Sequence, residues 1–379
     1  MLVLSAGDHD RYSADRSQIG ETVPAASPVD RADLRARVSK AIDVVLSRQR
    51  PRLDAISPEL GPVADALSDF LLNSGKRLRP AFAYWGWRGA GGTDSDEVVA
   101  AVACQEWLQA CALIHDDVMD RSDTRRGAPA MHRRFAALHR TEGWRGDPER
   151  FGESAAILLG DFCLIWADEM YNTSGLADDA LRRGQPVYDL MRTELMAGQY
   201  LDLLRQARGG SSTEGALRVA RYKSAKYTVE RPLHLGAALA DAPPMVIDAY
   251  SAYGLPLGEA FQLRDDVLGV FGDPSQTGKP AGDDLREGKR TVLIALTLER
   301  ADQRQTALVR RYLGDPQLTP DAVDVLREVV EETGARAESE RLICDRTERA
   351  LAALARAKID QEAGDVLRDL AAAATTRRR

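Results

Sequence analysis

Residues 95–127, SDEVVAAVACQEWLQACALIHDDVMDRSDTRRG, decide the fold. The stretch begins like a capped helix, and 98–114 is too apolar for a helix on a protein surface. Three aspartates, Asp116, Asp117 and Asp120, end this apolar run. Crowded carboxylates beside an apolar segment repel one another and are poorly solvated, unless a cation, a partner or water compensates them. We therefore expect the helix to end in an interior cleft.

Helical patterns also dominate the chain outside this stretch. Apolar residues recur every three to four positions, which is typical of helices, over 30–49, 62–74, 153–172, 178–206, 213–240, 244–270, 290–312, 319–332 and 334–357. Alternating strand patterns bounded by hairpin dipeptides are scarce. We predict an all-α, single-domain bundle of about ten or more helices around a central cleft, spanning 29–370. A disordered leader over 1–28 and a flexible basic tail over 371–379 flank it.

Composition narrows the classes of function. The 379 residues carry a net charge of -7, which argues against a general nucleic-acid surface. The four cysteines lie far apart without a C-x-x-C pair, so structural zinc and a disulfide framework are disfavoured and a reducing cytoplasm fits. No stretch approaches the roughly 18 uninterrupted apolar residues of a membrane span. We expect a cytoplasmic protein without an integral membrane segment.

The spacing of the first aspartates suits a divalent cation. At 100° per residue, Asp120 lies about 40° from Asp116 and about 60° from Asp117, so the three carboxylates project within one sector. Oxygen ligands in that arrangement suit Mg²⁺, which keeps several waters and completes its shell with substrate phosphate. A single motif of this kind is more often a solvated acidic face.

A second acidic cluster strengthens the metal interpretation. In FQLRDDVLGVFGDPSQTGKPAGDDLREGKRT, residues 261–291, Asp265 and Asp266 again end an apolar helix, and basic residues follow. Upstream, GKRLRP places Lys76, Arg77 and Arg79 after a glycine. Arginine and lysine together suit phosphate, although a positive cap on a helix end is an equal alternative for this stretch alone. Two acidic clusters followed by basic residues predict a metal-bridged polyanion between two helix ends.

These motifs, in this order over roughly residues 60–300, resemble the trans-type polyprenyl diphosphate synthases, a family that includes farnesyl and geranylgeranyl diphosphate synthases. The resemblance implies the isoprenoid synthase type of all-α fold. It implies metal ligands and catalytic residues at Asp116, Asp117, Asp120, Asp265 and Asp266, with Lys223 also catalytic. It implies an isopentenyl-diphosphate site at Lys76, Arg79, Gln109 and Arg126, and an allylic-diphosphate site at Arg125, Lys223, Ser224, Gln262, Lys279 and Lys289.

Three positions depart from the family pattern. Gln109 stands where the family usually has histidine, and an amide can donate a hydrogen bond but cannot become cationic. Gly269 stands where the second motif commonly has its last aspartate, which leaves two carboxylates there. Ser224 replaces threonine and keeps the hydroxyl.

The resemblance implies Mg²⁺-dependent 1'-4 condensation of isopentenyl diphosphate with allylic diphosphates to an all-trans prenyl diphosphate, with three Mg²⁺ per site when substrate is bound. A homodimer is implied as well. The C20 product, geranylgeranyl diphosphate, is favoured, and a C15 farnesyl product or a product of C25 or more is the alternative. A class I terpene cyclase and a non-catalytic partner subunit of a prenyl synthase are further alternatives.

Product length is expected to depend on the helix before Asp116. Cys111 and Ala112 occupy positions where short-product members of the family tend to carry bulky aromatics. Both are small here, so a C15 tail should pass. Leu108 and Trp107, about 12 to 14 Å back along the helix, could stop a longer tail. We expect Cys111→Phe or Ala112→Phe to shorten the main product.

Overall fold

Helices form almost all of the computed structural model, which describes residues 28–73, 75–273 and 282–375. This confirms the all-α prediction. The strands in this part of the chain form one small antiparallel hairpin, in which Thr124–Arg125 pairs with Ala128–Pro129. The predicted leader falls almost wholly on residues 1–27, which lie outside the described residues.

The helices follow one another with short connections. Their bounds are α1 Leu34–Ile56, α2 Gly61–Leu72, α3 Leu78–Gly89, α4 Asp96–Asp120, α5 Met131–Thr141, α6 Pro148–Asn172, α7 Asp178–Arg208, α8 Thr213–Val219, α9 Arg231–Leu239, α10 Pro244–Phe271, α11 Asp283–Arg286, α12 Val292–Arg300, α13 Gln303–Tyr312, α14 Pro320–Glu332, α15 Ala335–Arg356 and α16 Gln361–Thr375. Short 3₁₀ segments occur at Pro28–Asp33 and Pro58–Leu60, and Ala220–Glu230 is a π-helix.

Helix α4 is the central element of the bundle. Its N-cap is Ser95, whose hydroxyl accepts a hydrogen bond from the backbone N–H of Val98 at 3.3 Å, as the sequence predicts. It ends at Asp120, where Arg121 turns left-handed with φ 57°. By length and composition α4 could cross a membrane, but 72% of its apolar window is buried inside the fold. Such burial is typical of a core helix.

The π-helix interrupts a stretch predicted as one helix over 213–240. Its wider turn is visible at the end of the segment, where the N–H of Arg231 donates to Lys226 O, five residues back. Glycines on both neighbouring helices allow it to pack closely. A side chain at Gly198 of α7 would overlap the backbone of Lys223, and one at Gly258 of α10 would overlap that of Ala225. The segment is therefore held between two helices at backbone contact.

Helix α3 lies where no helix is predicted from the sequence, and other boundaries also differ from the prediction. The predicted break over 121–152 contains the hairpin and α5, whose buried face includes Phe135. The predicted helix over 290–312 is divided between α12 and α13 because Asp302 forms a capping box with Gln305. The predicted flexible tail begins inside α16, in which Ala371 and Ala374 are buried. Residues 376–379 of that tail lie outside the described residues.

Candidate active site

A cleft of about 800 Å³ opens among α3, α4, α7, the π-helix and α10. It collects most of the residues that the sequence predicts for the site. Its lining includes Lys76, Arg79, Gln109, Ala112, Asp116, Arg125, Arg126, Lys223, Ser224, Gln262, Asp265, Asp266 and Lys289. Asp117, Asp120, Cys111 and Leu108 do not line it, and Lys279 lies outside the described residues.

The three aspartates of the first motif point in different directions. Asp116 faces the cleft and accepts hydrogen bonds from Gln199 Nε2 at 2.8 Å and Lys223 Nζ at 3.1 Å. Asp117 is fully buried, and its Oδ1 accepts from Arg125 Nε at 2.9 Å. Asp117 therefore leaves the predicted common sector, because its carboxylate is buried against Arg125 from the hairpin and does not face the cleft.

The charge of Asp116 is stabilised by cations from other elements. Burial acts to raise the pKa of Asp116, but Lys223, Lys289 and Arg125 together hold that pKa below its ordinary value. Lys223 shows the reciprocal effect. Burial acts to lower its pKa, yet Asp116 and Asp202 raise the pKa above the ordinary value for lysine. The pair is therefore fully ionised at neutral pH.

The side chain of Asp120 is buried at the end of α4 and does not line the cleft. Its nearest cation is Lys289, with 3.3 Å between Nζ and Oδ2. Neither carboxylate oxygen receives a hydrogen bond from the residues that the structure describes. Burial, and then the charge of Asp116, raise the pKa of Asp120 to about 6. A buried acid without hydrogen bonds is costly, so this position favours an additional cation.

Asp266 of the second motif accepts hydrogen bonds from neutral groups. Asp266 accepts from Gln262 Nε2 at 2.8 Å and from the backbone N–H of Val292 at 3.3 Å. Its burial, and then the charges of Asp265 and Asp284, raise the pKa of Asp266 to about 7. Asp266 is consequently close to half protonated at neutral pH before any cation binds.

Lys289 connects the two acidic sides of the cleft. Its ammonium lies 2.5 Å from Glu287 Oε2, 3.3 Å from Asp120 Oδ2 and 3.5 Å from Asp284 Oδ1. Although burial acts to lower it, these acids raise the pKa of Lys289 well above its ordinary value. The lysine is therefore a permanent charge between the ends of α4 and α10.

The basic residues of GKRLRP have two different environments. Arg77, with a left-handed φ of 52°, is buried against Glu106, with 2.6 Å between Nη1 and Oε2. Arg79 lies in the cleft wall, where its guanidinium stacks over the Tyr227 ring at 4.3 Å and donates to Thr228 Oγ1 at 2.9 Å. Arg77 thus stabilises the turn, and Arg79 presents charge to the cleft beside Lys76.

Arg126 reaches the same cleft from the hairpin loop. Its φ is 55°, and its Nη1 donates to Phe70 O at 3.3 Å. Burial, with neighbouring arginines, lowers the pKa of Arg126 despite Glu106. An arginine in such a cationic environment is typical of a site that binds an anion.

Several site residues were missed by sequence reasoning. Gln199 and Asp202 lie three residues apart on α7, and Asp202 Oδ2 accepts from Lys223 Nζ at 2.8 Å. Glu287 and Tyr227 also approach the predicted residues. The GQYLD stretch at 198–202 could have indicated these two residues, because its polar side chains share one helix face beside a glycine.

The donor set fits Mg²⁺, although by a different arrangement from the one predicted. Among the described residues, no three His, Cys, Asp or Glu side chains form a group that could hold a metal ion. The cleft lining offers carboxylate oxygens from Asp116, Asp265 and Asp266, and Asp120 adds buried oxygens that receive no hydrogen bond from the described residues. Hard oxygen donors on two sides, with room for water and phosphate, are what Mg²⁺ prefers.

Of the residues expected to control product length, only Ala112 lines the cleft. Cys111 and Leu108 are fully buried within the bundle. Burial raises the pKa of the Cys111 thiol to about 12, so this cysteine behaves as an apolar core residue. A tail extending along α4 would therefore contact Ala112 first.

Comparisons with known proteins agree with this geometry. Residues 62–332 match the polyprenyl synthetase family. The chain is 32% identical to a geranylgeranyl diphosphate synthase of Mycobacterium tuberculosis, over 74% of this chain and 75% of that protein. It is 30% identical to a geranylfarnesyl diphosphate synthase of Aeropyrum pernix, over 69% and 77%.

A solved structure is also similar. The geranylgeranyl pyrophosphate synthase of Corynebacterium glutamicum, complexed with isoprenyl diphosphate and magnesium, has a TM-score of 0.89 and 44% identity. The match covers 91% of this chain and 99% of that one. The chain therefore belongs to the polyprenyl synthetase family and is a prenyltransferase of the prenyl diphosphate synthase type.

Proposed function

We propose that this member of the polyprenyl synthetase family condenses isopentenyl diphosphate with allylic diphosphates in the presence of Mg²⁺, and that its main product is all-trans geranylgeranyl diphosphate. The observation that carries the proposal is one cleft with two acidic sides, a separate basic side and a small residue, Ala112, on its wall. Similar proteins named geranylgeranyl diphosphate synthases support the C20 length.

The chain's own cations would bind the allylic diphosphate and stabilise it as it leaves. Lys223 and Arg125 are held in the cleft by Asp116 and Asp117, so their charges are oriented before substrate arrives. Lys289 adds a charge between the two acidic sides. Preoriented charges of this kind stabilise a developing anion without reorganisation during the reaction. Mg²⁺, when bound to the two acidic sides, would supply further charge at the diphosphate, and we propose three ions per site.

The second substrate would bind on the basic side. Lys76, Arg79 and Arg126 would hold the diphosphate of isopentenyl diphosphate, and Gln109 would donate a hydrogen bond. This leaves its double bond facing the allylic carbon. Apolar wall residues, including Leu195 and Val219, exclude water from the carbocation that forms when diphosphate departs. Attack by the double bond joins the chains, and the proton then lost is taken up by the departed pyrophosphate.

The test is an elongation assay on the purified chain. Isopentenyl diphosphate and Mg²⁺ are supplied with dimethylallyl or farnesyl diphosphate, and product length is measured by mass spectrometry. Pyrophosphate release with a C20 product supports the proposal. A main product of C15, or of C25 and above, would overturn the length. A cyclic hydrocarbon would indicate a terpene cyclase, and no turnover with either primer would indicate a non-catalytic partner subunit.

We also propose that the chain forms a homodimer through α6 and α7. Leu158 and Ile165, seven residues apart on α6, are 59% and 60% exposed, and Tyr200 on α7 is 65% exposed. Leu158 and Ile165 share one face of α6, and large exposed apolar side chains of this kind are typical of an interface. Light scattering after size exclusion should give twice the chain mass, and Ile165→Glu should reduce it to one chain. Val44→Glu on α1, where Val44 is 58% exposed, is the control.

A cytoplasmic location remains our proposal. Its support is the state of the cysteines, all four of which are free, with Cys344 exposed. A free exposed thiol suits a reducing compartment. Detection of the protein in a membrane or extracellular fraction after cell fractionation would contradict it.

A further inference from the structure

Gly269 has a neighbour that explains why no side chain is present there. The residue lies inside α10, where glycine is less favourable than alanine, so a packing or functional reason is expected. A Cβ atom at this position would overlap Oδ2 of Asp284. The carboxylate of Asp284 therefore occupies the space in front of Gly269.

The position of Gly269 relates this carboxylate to the second motif. Gly269 follows Asp265 by four residues, so the two lie on one face of α10, about 40° apart. Asp284 lies on the short helix α11, the next helix after α10 among the described residues. Asp265, Gly269 and Asp284 all line the cleft, and the other oxygen of Asp284 lies 3.5 Å from Lys289 Nζ.

We propose that Asp284 on α11 supplies a third carboxylate to the second acidic cluster when a divalent cation binds, and that Gly269 is the residue that admits it. The inference rests on the proposed function, because the divalent cation that the cluster would bind belongs to that function. An aspartate at 269 would collide with Asp284 and add a like charge. The change that restores the common family pattern, Gly269→Asp, is therefore harmful in this chain.

The first test measures cation binding instead of catalysis. Mn²⁺ is titrated into the full chain with inorganic pyrophosphate present, and bound ion is counted by electron paramagnetic resonance. Asp284→Asn should weaken Mn²⁺ binding about tenfold or more. Gly269→Ala should weaken it comparably, because the end of a flexible side chain moves away from the new methyl group. Asp324→Asn, which removes a carboxylate paired with Arg327 at 3.2 Å outside the cleft lining, is the control with little change.

A second test does not depend on metal. Gly269→Ala should lower the melting temperature in the wild-type background, where the methyl group meets Asp284. In an Asp284→Gly background the same change should raise it, because the helix gains alanine and the collision is gone. The exchange Gly269→Asp with Asp284→Gly should recover Mn²⁺ binding to within a few-fold of wild type.

The outcomes separate this inference from the proposed function. Unchanged Mn²⁺ binding in Asp284→Asn, or the same melting shift for Gly269→Ala in both backgrounds, would overturn the inference while wild-type elongation still stands. Failure of wild type to elongate any primer would instead remove the proposed function. Circular dichroism of each variant establishes that it is folded.

Discussion

The two acidic motifs look alike in sequence and differ in their electrostatics. Each is a pair of aspartates at the end of an apolar helix. Around the first pair, other elements bring cations, so the pKa of Asp116 lies below its ordinary value. Around Asp266 of the second pair, the neighbours are the amide of Gln262 on the same helix, the backbone N–H of Val292 and two acids, and burial together with these acids raises the pKa of Asp266 to about 7. The difference shows that the neighbours, and not the motif, decide how an aspartate is charged.

The largest expected effect concerns stability against pH without metal. Asp266 has a folded pKa of about 7 against an ordinary value of 3.8, so its contribution to stability is present below the unfolded pKa and is lost as pH rises through 7. The difference corresponds to roughly 4 kcal/mol between pH 4 and 8. Urea unfolding in EDTA should show a larger loss in wild type than in Asp266→Asn, which retains the smaller loss from Asp120, whose pKa is raised to about 6.

Asp116 provides the comparison for that measurement. Its folded pKa is lowered, so its contribution is present above the unfolded pKa and is lost only as pH falls through the folded value. Asp116→Asn should therefore keep the loss of stability that Asp266 causes between pH 5 and 8, and should reduce only the smaller part from Asp120, whose pKa the charge of Asp116 helps to raise. Equal slopes for both variants would contradict the electrostatic difference between the motifs.

The next largest expected effect comes from removing the Lys223 ammonium, which pairs with Asp116 of the first motif. Lys223→Ala removes the ammonium that lies 3.1 Å from Asp116 and 2.8 Å from Asp202. We expect kcat to fall by about 10²- to 10³-fold, because a preoriented charge near the leaving diphosphate is lost. Steady-state kinetics at saturating Mg²⁺ provide the measurement. Lys226→Ala is the control, since Lys226 pairs with Glu194 at 2.9 Å outside the cleft lining and should retain activity.

The smallest expected effect on rate comes from substitutions on α4, the helix that carries the first motif. These substitutions are expected to change product length. Ala112→Phe should shorten the main product, because Ala112 lines the cleft. Cys111→Phe should instead overpack a buried site, at a cost of about 1–3 kcal/mol in stability, with less change in length. Product chromatography and thermal melting distinguish the two. Shortening by Cys111→Phe alone would show that the tail follows another face of α4.

The helices were predictable where apolar periodicity and end signals agree. Helix α4 is an example, since Ser95 caps it and Asp120 ends it as expected. The π-helix was not predictable, because its wide turn depends on close packing against Gly198 and Gly258, which are distant in sequence. Helix α5 was missed because its charged residues resemble a loop in composition.

The candidate site was predictable as a set of residues but not as a set of contacts. Motif order indicates that Asp116 and Lys223 belong together, and they are 3.1 Å apart. That Asp117 turns inward to Arg125 depends on tertiary packing. Gln199 and Asp202 were missed because two polar residues on a helix are most often a solvated face.

The number of residues in the π-helix, Ala220–Glu230, determines where its site residues lie. Lys223 and Ser224 reach the cleft from a turn that holds more residues than an α-helical one. A single-residue deletion between 220 and 230 would relax the turn and rotate these side chains by about 100° relative to helix α9. Protein engineers can therefore exchange side chains in this segment but should conserve its residue count, because here an insertion or deletion acts as an active-site mutation.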